Sequence, residues 1–530
     1  MINVSNGFNS VANGSVRPLV GGVHISWNKN RDDNINWFVL DQSELDGGDI
    51  LAQDTSDPIQ FWDSYDYERE TDRLIKQEWS RSVEFPYNVQ TALASFSLNN
   101  YDGRYTYNGS SDIAQNVLPK RPVRLYAGFK VNGASEVIPQ FVGMTENCPT
   151  YSGTANNIAN FTASDFMSQI AEFKLTQTIM SQNVRTDQAI EIILQQFGLE
   201  PTMYSLEPGV NVIPFFYLEK GKDAGNALKK LIQAENGRLW LDEKGIVRFQ
   251  PRTAYIGQTP VMQFNDSNII SAKASGTSGI VNTVHIKSEI RRIMDNQQVY
   301  TMTNELGWQN ADDDYRVKAN GVLEVWASFD DPLWTGNVSP TLNGSDDDSM
   351  FNAVDLTGNS VNSGVSITGT LFADSAKLEI SNINNFPVSI SFISLWGQPA
   401  KVADVIEYQA YDDESVEKFG SQSIEITDNP FFGSYNNADS YGDYIISKRK
   451  DYNSSLELKV KGNPALQLGD IVEVINENAV QSDYNYTVVA IKNVLDSKGL
   501  TTNLTVEYFG ALLSPFVLDV SVLDGTDVLG

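Results

Sequence analysis

Short segments of alternating apolar and polar residues, separated by turn residues, recur along most of this 530-residue chain. Val23–Trp27, Ala94–Leu98 and Leu456–Val460 each place an apolar side chain at every second position, which is the period of a strand with one buried face. The turns between such segments are supplied by 38 glycines, 19 prolines and many Asn and Asp residues. Strands spaced this closely are typical of sandwiches and barrels, so the pattern predicts a mainly β fold.

Two segments follow the helical period instead. Thr186–Phe197 and Ala224–Glu235 each carry an apolar stripe at i, i+3, i+4 and i+7, and each ends at a residue suited to a left-handed turn. A predicted hairpin follows the second helix at 238–249. Because each helix has only one apolar face, both must pack against another layer, most simply a sheet. This predicts a small α/β domain at about 175–235 between β-rich flanks.

The composition shifts towards Ser, Asn, Asp and Thr from about residue 291 to 440, and the acidic clusters Asp312–Asp314 and Asp346–Asp348 lie there. We interpret this segment as an inserted β-sandwich with acidic loop tips. A weak internal repeat flanks it, since Leu118–Ala163 and Leu466–Val506 both predict strand, loop, strand, Gly turn and strand. The repeat indicates two similar barrels; the alternative is that any two small barrels look alike in sequence.

Charge narrows the functional classes. The chain has 67 acidic against 38 basic residues, for a formal charge of −29. Such a chain should repel nucleic acid and anionic membrane surfaces rather than bind them. One Cys excludes an internal disulfide framework, and two His leave little room for imidazole chemistry. With neither a signal pattern nor a long apolar run, the chain is expected to be soluble, unsecreted and without a membrane anchor.

Candidates for catalysis are few. His24 and His285 each lie between two aliphatic residues, so each is expected on the polar face of its strand. Cys148 lies in a turn sequence without a nearby His, and no Gly-x-Ser-x-Gly elbow occurs where a strand meets a helix. We therefore expect no catalytic residue.

Metal and cofactor motifs are equally scarce. Neither His-Glu-x-x-His nor Gly-x-x-x-x-Gly-Lys occurs. Asn28–Asp32 alternates oxygen ligands like a calcium loop, but it lacks the central Gly and the terminal Glu. Asp346–Asp348 offers carboxylates at a loop tip, although such tips are usually only solvated. We expect no metal site and no cofactor.

Three tryptophans of the inserted segment leave a carbohydrate alternative open. Trp326, Trp334 and Trp396 are suited to stacking on sugar rings, whereas the competing interpretation places them in the sandwich core. Paired carboxylates for glycosidic cleavage are available among the 67 acids, but no pair stands out.

A series of strand and turn motifs begins at Ala94–Leu98. It continues with the turn Asn99–Tyr105, the strand Pro119–Arg124 and a Phe-x-Gly strand at Phe141–Gly143. Further blocks follow in order at Phe161–Asp165, Arg185–Ile190, Leu239–Phe249, Asp413–Gly420 and Leu468–Val472. In their order and spacing these blocks resemble the minor tail or tail-hub proteins of tailed bacteriophages, similar to the baseplate hub. The blocks cover roughly residues 60–510. Within this range, residues 310–400 resemble the family only in their general character and share no motif with it.

The resemblance implies a fold with two tube-like β-barrels, a small α/β domain and an inserted β-sandwich. It implies a structural homotrimer in which six similar barrels match a sixfold tail tube. The domain boundaries expected on this basis are 1–54 for an N-terminal β arm, 55–174 with 236–290 for the first hub barrel, 175–235 for the small α/β domain, 291–440 for the inserted sandwich, 441–515 for the second hub barrel and 516–530 for a C-terminal tail.

The resemblance also implies function and partners. A hub closes the tail tube at the distal end of the virion tail, joins the tail to host-attachment parts and forms the channel for DNA ejection. The expected partners are the distal tail protein hexamer, the tape measure protein and a tail fibre or receptor-binding protein, with DNA in transit but not stably bound. Wall-cutting hubs usually carry a separate C-terminal enzyme module, and only fifteen residues follow the second predicted barrel, so we expect no enzyme.

Two questions stay open at this point. The first is the role of the negative charge. Acidic residues that line the channel would prevent DNA from binding to its wall; the alternative is that the acidity only aids solubility. The alternative function is a carbohydrate-binding or polysaccharide-degrading tail protein that acts on the host surface through the inserted sandwich and its three tryptophans.

Overall fold

The computed structural model describes residues 1–14, 16–28, 65–83, 85, 89–154, 157–255, 258–274, 279–304, 306–310, 313–345, 347–451, 455–475 and 484–508. Its helices α1–α6 span Asn6–Asn13, Met167–Glu172, Thr186–Phe197, Ala224–Glu235, Asp413–Phe419 and Tyr435–Arg449. None of these helices is both long and apolar enough to cross a membrane.

The strands are numbered in chain order. Strands β1–β8 span Leu19–Ile25, Glu68–Arg69, Leu74–Ser82, Leu93–Asn99, Pro122–Val131, Ala134–Thr145, Thr150–Ser152 and Ile158–Ser164. Strands β9–β15 span Ile179–Arg185, Tyr204–Leu206, Val212–Leu218, Arg238–Leu241, Val247–Gln250, Met262–Phe264 and Ile269–Ala274. Strands β16–β23 span Thr283–Ile293, Gln297–Thr303, Arg316–Val317, Gly321–Ser328, Leu333–Asn337, Thr341–Leu342, Met350–Asp355 and Ser360–Val361. Strands β24–β31 span Val365–Leu371, Ser375–Asn382, Val388–Tyr411, Ser423–Ile426, Ser455–Lys461, Ile471–Val474, Tyr484–Asp496 and Gly499–Tyr508.

Fourteen strands form one sheet, here named the shared sheet, and the predicted mainly β fold is confirmed. Its main path runs β15-β28-β31-β30-β3-β4-β8-β6-β5-β1-β2, with β14, β29 and β7 paired beside it. The join between its two halves is the antiparallel pair β3–β30, in which Gln77–Ser82 lies beside Ala490–Leu495. Strands expected in two separate barrels therefore share one sheet, and within the described residues this sheet does not close on itself.

The expected domain bounds remain predictions, and the observed pairing can be set beside two of them. Strands β14 and β15, expected to complete the first barrel as part of 236–290, pair with β29 and β28 of the C-terminal segment instead. The predicted N-terminal β arm contains α1 as well as β1, and its residues 29–54 lie outside the described residues. The predicted tail 516–530 also lies outside them.

A helical unit packs beside the shared sheet, and the two predicted helices are confirmed as α3 and α4. The unit consists of α2–α4, β9–β13, β16, β27, α6 and the C-terminal half of β26, which contribute to one apolar core. Ile190 and Ile193 of α3 and Leu228 and Leu231 of α4 are fully buried in it. The predicted hairpin is also present, as the antiparallel pair β12–β13. The core thus extends well beyond the expected 175–235.

Helix α6 was not predicted, because polar residues occupy its buried face. Asn437 is held there by three hydrogen bonds, accepting from Arg252 at 2.9 Å and donating to the Ala234 and Phe432 carbonyls. Gly442 is also buried, and a Cβ atom at this position would overlap the ring of Tyr408 on β26. The apolar period is interrupted at these positions, although the helix is well packed.

The inserted unit consists of β17–β25 and the N-terminal half of β26. Its two sheets, one of them the three-stranded sheet β19-β25-β24, pack around one core that includes Ala327 and Leu378 from the smaller sheet and Ile390 and Leu395 from β26. The 24-residue strand β26 continues into the helical unit, where it pairs with β16. Strand β26 therefore connects the inserted unit to the helical unit.

A buried carboxylate links the shared sheet to the helical unit. Glu507 on β31 contacts Arg449 of α6 at 2.5 Å and Arg238 of β12 at 3.4 Å, and the Arg449 guanidinium lies 4.0 Å above the Phe85 ring. Burial acts to raise the pKa of Glu507, but the two arginines outweigh it and hold that pKa below its usual value. The network is stable only as a set, because removing one partner leaves a buried charge uncompensated.

Replacing Glu507 by Gln should therefore destabilise the chain by about 3–5 kcal/mol, because two buried arginines lose their counterion. The matched control is Glu457→Gln on the same sheet, whose exposed ion pair with Lys273 spans 3.4 Å. We expect that control to change the free energy of unfolding by less than about 1 kcal/mol. Thermal and denaturant unfolding measure both variants.

The same substitution predicts a pH dependence. Since the pKa of Glu507 is lower in the folded chain than its ordinary value of 4.5, its stabilising contribution is present above that pH. It is lost as the pH falls through the folded pKa. The stability gap between wild type and Glu507→Gln should shrink on acidification; a gap that stays constant from neutral pH to pH values below 4.5 would contradict the network.

Replacing Gly442 by Ala should also destabilise, by about 1–3 kcal/mol, because the added methyl group meets the Tyr408 ring. On an exposed helical position the same change would stabilise by up to about 1 kcal/mol. Ser440→Ala, on the exposed face of α6, serves as the control, and unfolding midpoints provide the comparison. Equal stability of the two variants would show that this contact is not tight.

Candidate functional site

The two histidines and the cysteine, whose side chains are suited to catalysis, do not form one site. His24 is on β1 of the shared sheet and His285 is on β16 of the helical unit, each flanked by buried aliphatic residues and itself only half-buried. Burial, and then the charges of Arg69 and Arg124, lower the pKa of His24. Cys148 is exposed in the turn after β6. No hydrogen bond among the described residues joins any two of these three side chains.

One aspartate of each acidic cluster accepts hydrogen bonds from residues of the inserted unit. Asp313 accepts hydrogen bonds from Asn304 at 2.8 Å and from the Tyr315 N–H at 3.0 Å, and Asp348 accepts from Asn337 at 3.3 Å. The other members Asp312 and Asp346, like most of Asn28–Asp32, lie outside the described residues. In the part of the chain that the structure describes, no group of three or more His, Cys, Asp or Glu is arranged to hold a metal ion.

The three tryptophans do not form one surface. Trp334 on β20 is half-buried and packs edge-to-face on Phe215 of the helical unit, with ring centroids 6.2 Å apart. Trp396 on β26 is half-buried, with its Nε1 atom enclosed. Trp326 on β19 of the smaller sheet is 58% exposed, so the interpretation of this residue as sandwich core is wrong.

A broad surface of the shared sheet is covered by no other part of the described chain. We name it the open face: it consists of alternate residues of seven neighbouring strands, which the cross-strand register places on one side. None of them is buried, whereas the residues between them, such as Trp79, Phe96 and Leu504, are. The members are Lys76, Glu78, Ser80, Ser82, Leu93, Ser95, Ser97, Asn99, Ile158, Asn160, Thr162, Ser164, Ser271, Lys273, Glu457, Lys459, Lys461, Ala490, Lys492, Val494, Thr501, Asn503 and Thr505.

The charge of the open face is opposite to that of the whole chain. It carries five lysines against two glutamates, and most of its other members are Ser, Thr or Asn. Glu78 contacts Lys492 at 2.7 Å and Lys76 at 3.3 Å, which holds the pKa of Glu78 below its usual value. The acids that make the chain strongly negative therefore lie elsewhere.

A rigid loop stands at one edge of the open face, directly after β4. Arg104 donates to Glu68 at 2.8 Å, to Glu70 at 2.9 Å and to Asp112 at 2.8 Å. Glu70, itself buried, also accepts from the Tyr105 hydroxyl at 2.7 Å. These contacts hold the turn Asn99–Tyr105, which was identified in the sequence, in one conformation.

The loop leaves one large side chain in solvent. Tyr101 is 86% exposed at the tip, while Arg73 and Asp102 beside it form two parallel hydrogen bonds of 2.7 and 2.8 Å. The Arg73 contact lowers the pKa of Asp102 to about 2. An aromatic ring held outward on a fixed turn is suited to contact another protein.

Sequence reasoning missed the open face, although part of its signal was present. The alternation in Leu456–Val460 shows that Glu457 and Lys459 share one side of a strand. It does not show that Lys492 and Lys76 lie on the same surface. That depends on pairing between segments more than 400 residues apart.

Comparison with known proteins gives two kinds of result. No family model matches the sequence, and no curated protein matches it significantly. Solved structures do match, over most of the length of both chains.

Three of these are bacterial prophage or tail proteins. The 43 kDa tail protein of prophage MuSo2 from Shewanella oneidensis has a TM-score of 0.43 and 10% identity, covering 83% of this chain and 94% of that chain. A tail protein from Neisseria meningitidis MC58 has a TM-score of 0.45 and 9% identity, covering 84% and 94%. The prophage tail protein gp18 from Listeria monocytogenes EGD-e has a TM-score of 0.40 and 12% identity, covering 84% and 92%. These three solved structures, to which the chain is similar, are tail proteins, the class that the sequence resemblance named.

Proposed function

We propose that this chain is a structural hub of a phage tail tip or baseplate, which closes the tail tube, joins it to host-attachment parts and forms the channel for DNA ejection. The observation that carries the proposal is the shared sheet with its open face. Two β segments far apart in the sequence are joined by backbone hydrogen bonds into one surface, and that surface has no covering layer within the described chain. A sheet with one uncovered polar side is suited to line a space filled with water.

A ring of three chains requires a fixed orientation between the two β segments of each chain. The six paired positions of β3 and β30 hold the two β segments in one orientation. Three chains would then place six β segments around an axis, which matches the expected sixfold distal tail protein. In this arrangement each chain forms one third of the wall.

The edge of the shared sheet offers a contact between neighbouring copies. Strand β15 pairs with β28 on one side, and on its other side no described strand pairs with it. Ile270 on this strand is 52% exposed. Unpaired backbone groups and an exposed aliphatic side chain on an edge strand favour association with another chain.

We infer a channel lining that differs from the expected acidic one. If the open face lines the channel, DNA passes hydroxyl, amide and lysine groups rather than a layer of carboxylates. Three of the five lysines contact glutamates, and the two glutamates offset two of the five positive charges. A formal charge of +3 is left, spread over seven strands. Transit without stable binding then results from hydration and the low density of positive charge on this face, and the net charge of −29 serves solubility.

The remaining assignments follow from the hub proposal. The chain is placed at the distal end of the virion tail after synthesis in the host cytoplasm. Its partners are a distal tail protein hexamer, the tape measure protein and a fibre or receptor-binding protein. Its role is structural rather than enzymatic. The exposed Tyr101 on its rigid loop is a candidate contact for the neighbouring tail ring.

The first test is the oligomeric state of the full chain. We expect a species of three times 58.7 kDa by mass photometry and sedimentation over a micromolar concentration series. Negative-stain images of it should show a threefold ring with a central hole. A chain that remains a 58.7 kDa monomer at the highest concentration, or a ring of another symmetry, would contradict the proposal.

The second test addresses the edge contact. Ile270→Asp places a charge on β15 and should weaken trimer formation by about tenfold or more, since a charge at an apolar contact costs at least about 1.4 kcal/mol. Val322→Asp is the matched control, because Val322 is 67% exposed and lies on the inserted unit. It should leave the association constant within about twofold. Equal behaviour of both variants would exclude β15 from the interface.

A further inference from the structure

The smaller sheet of the inserted unit carries two aromatic rings on its outer side. Trp326 on β19 and Phe372, just after β24, are 58% and 44% exposed. Their ring centroids lie 5.6 Å apart at an interplanar angle of 28°, so the two rings stack on each other with an offset. Together they form a partly exposed aromatic pair, here named the aromatic platform.

The platform is held in place by the backbone beneath it. Trp326 lies directly beside Lys377 of the central strand β25, which in turn pairs with Thr370 of β24. The Phe372 N–H donates to the Ser375 carbonyl at 2.8 Å, closing the turn between β24 and β25. Little ordering would be required on binding, because Trp326 lies on a regular strand and Phe372 lies at the start of a hydrogen-bonded turn.

A polar band lies next to the platform on the same side of the sheet. Lys377 contacts Glu324 at 2.8 Å and Glu379 at 3.8 Å, and Thr368 is in register with Glu379. The band supplies hydrogen-bond donors and acceptors, and its one lysine and two glutamates nearly balance in charge. It is therefore suited to a polar but uncharged ligand.

We propose that this face binds a neutral saccharide, with a sugar ring stacked on the solvent-exposed side of the Trp326–Phe372 pair. A pyranose presents C–H groups on its faces and hydroxyl groups around its edge. The aromatic pair would pack against the apolar face of the sugar. The carboxylates, the ammonium group and the threonine hydroxyls of the polar band would form hydrogen bonds with the hydroxyl groups around the edge of the sugar. A nucleic acid or other polyanion fits worse, because two glutamates border the platform.

A protein partner would use the sheet differently. Val322 and Ile383, at the opposite end of the same sheet, are even more exposed than the two aromatic residues. A protein docked on this side would cover both apolar ends, whereas a short saccharide stacked on the platform would leave Val322 untouched. Val322 therefore separates the two kinds of occupant. The saccharide site does not rest on the proposed hub function.

The test is binding of the full chain to a printed array of neutral oligosaccharides that includes chitohexaose, cellohexaose and maltohexaose, with affinities for the strongest ligand measured by calorimetry. We expect binding to at least one of them. Trp326→Ala and Phe372→Ala should each weaken it by about tenfold or more. Trp326→Phe should retain part of the affinity, because an aromatic face remains.

Val322→Ala, the matched control, should leave the affinity within about twofold of the wild type. Unchanged melting temperatures establish that each variant is folded, as expected for exposed side chains. The proposal is overturned if no oligosaccharide on the array binds, if Trp326→Ala binds as well as the wild type, or if Val322→Ala weakens binding as much as Trp326→Ala does. None of these results depends on whether the chain forms a trimer.

Discussion

The pairing of β3 with β30 is the contact on which the rest of the architecture depends. It joins Gln77–Ser82 to Ala490–Leu495, and without it the chain would contain two separate groups of strands. Such a long-range pairing costs loop entropy, but the cost grows only slowly with loop length. Once it forms, it fixes the register of both halves, because a shift of one residue would turn Trp79 outward and Glu78 inward.

Buried charges hold the helical unit against this sheet. Glu507 contacts Arg238 and Arg449, and Glu243, in the turn between β12 and β13, contacts Arg81 of β3 and accepts from Gln467 at 2.6 Å. Each network includes one residue of the shared sheet and one of the β12–β13 hairpin. Charged groups of this kind contribute less net energy than an apolar core, but they are sensitive to position. They define one orientation of the unit.

A structural element could be predicted from the sequence when the residues that define it lie close together in the chain. Helices α3 and α4 were found because their apolar residues obey the helical period without interruption. Helix α6 was not, because Asn437, Gly442 and Arg449 occupy its buried face. The partners Arg252 of Asn437 and Glu507 of Arg449 lie far away in the sequence. The open face was missed for a related reason: its strands alternate visibly, but their order in the sheet does not follow their order in the chain.

Register explains why Trp326 points outward, but not why a tryptophan is there. Leu323, Val325 and Ala327 face the core of the inserted unit, so Val322, Glu324 and Trp326 must face solvent. A shift by one residue would bury Glu324, which fixes the orientation. The fold would accept a polar residue at position 326, because an indole that is 58% exposed gains only part of the stabilisation that a buried ring would give. Ligand binding supplies a reason for its presence that the stability of the fold does not.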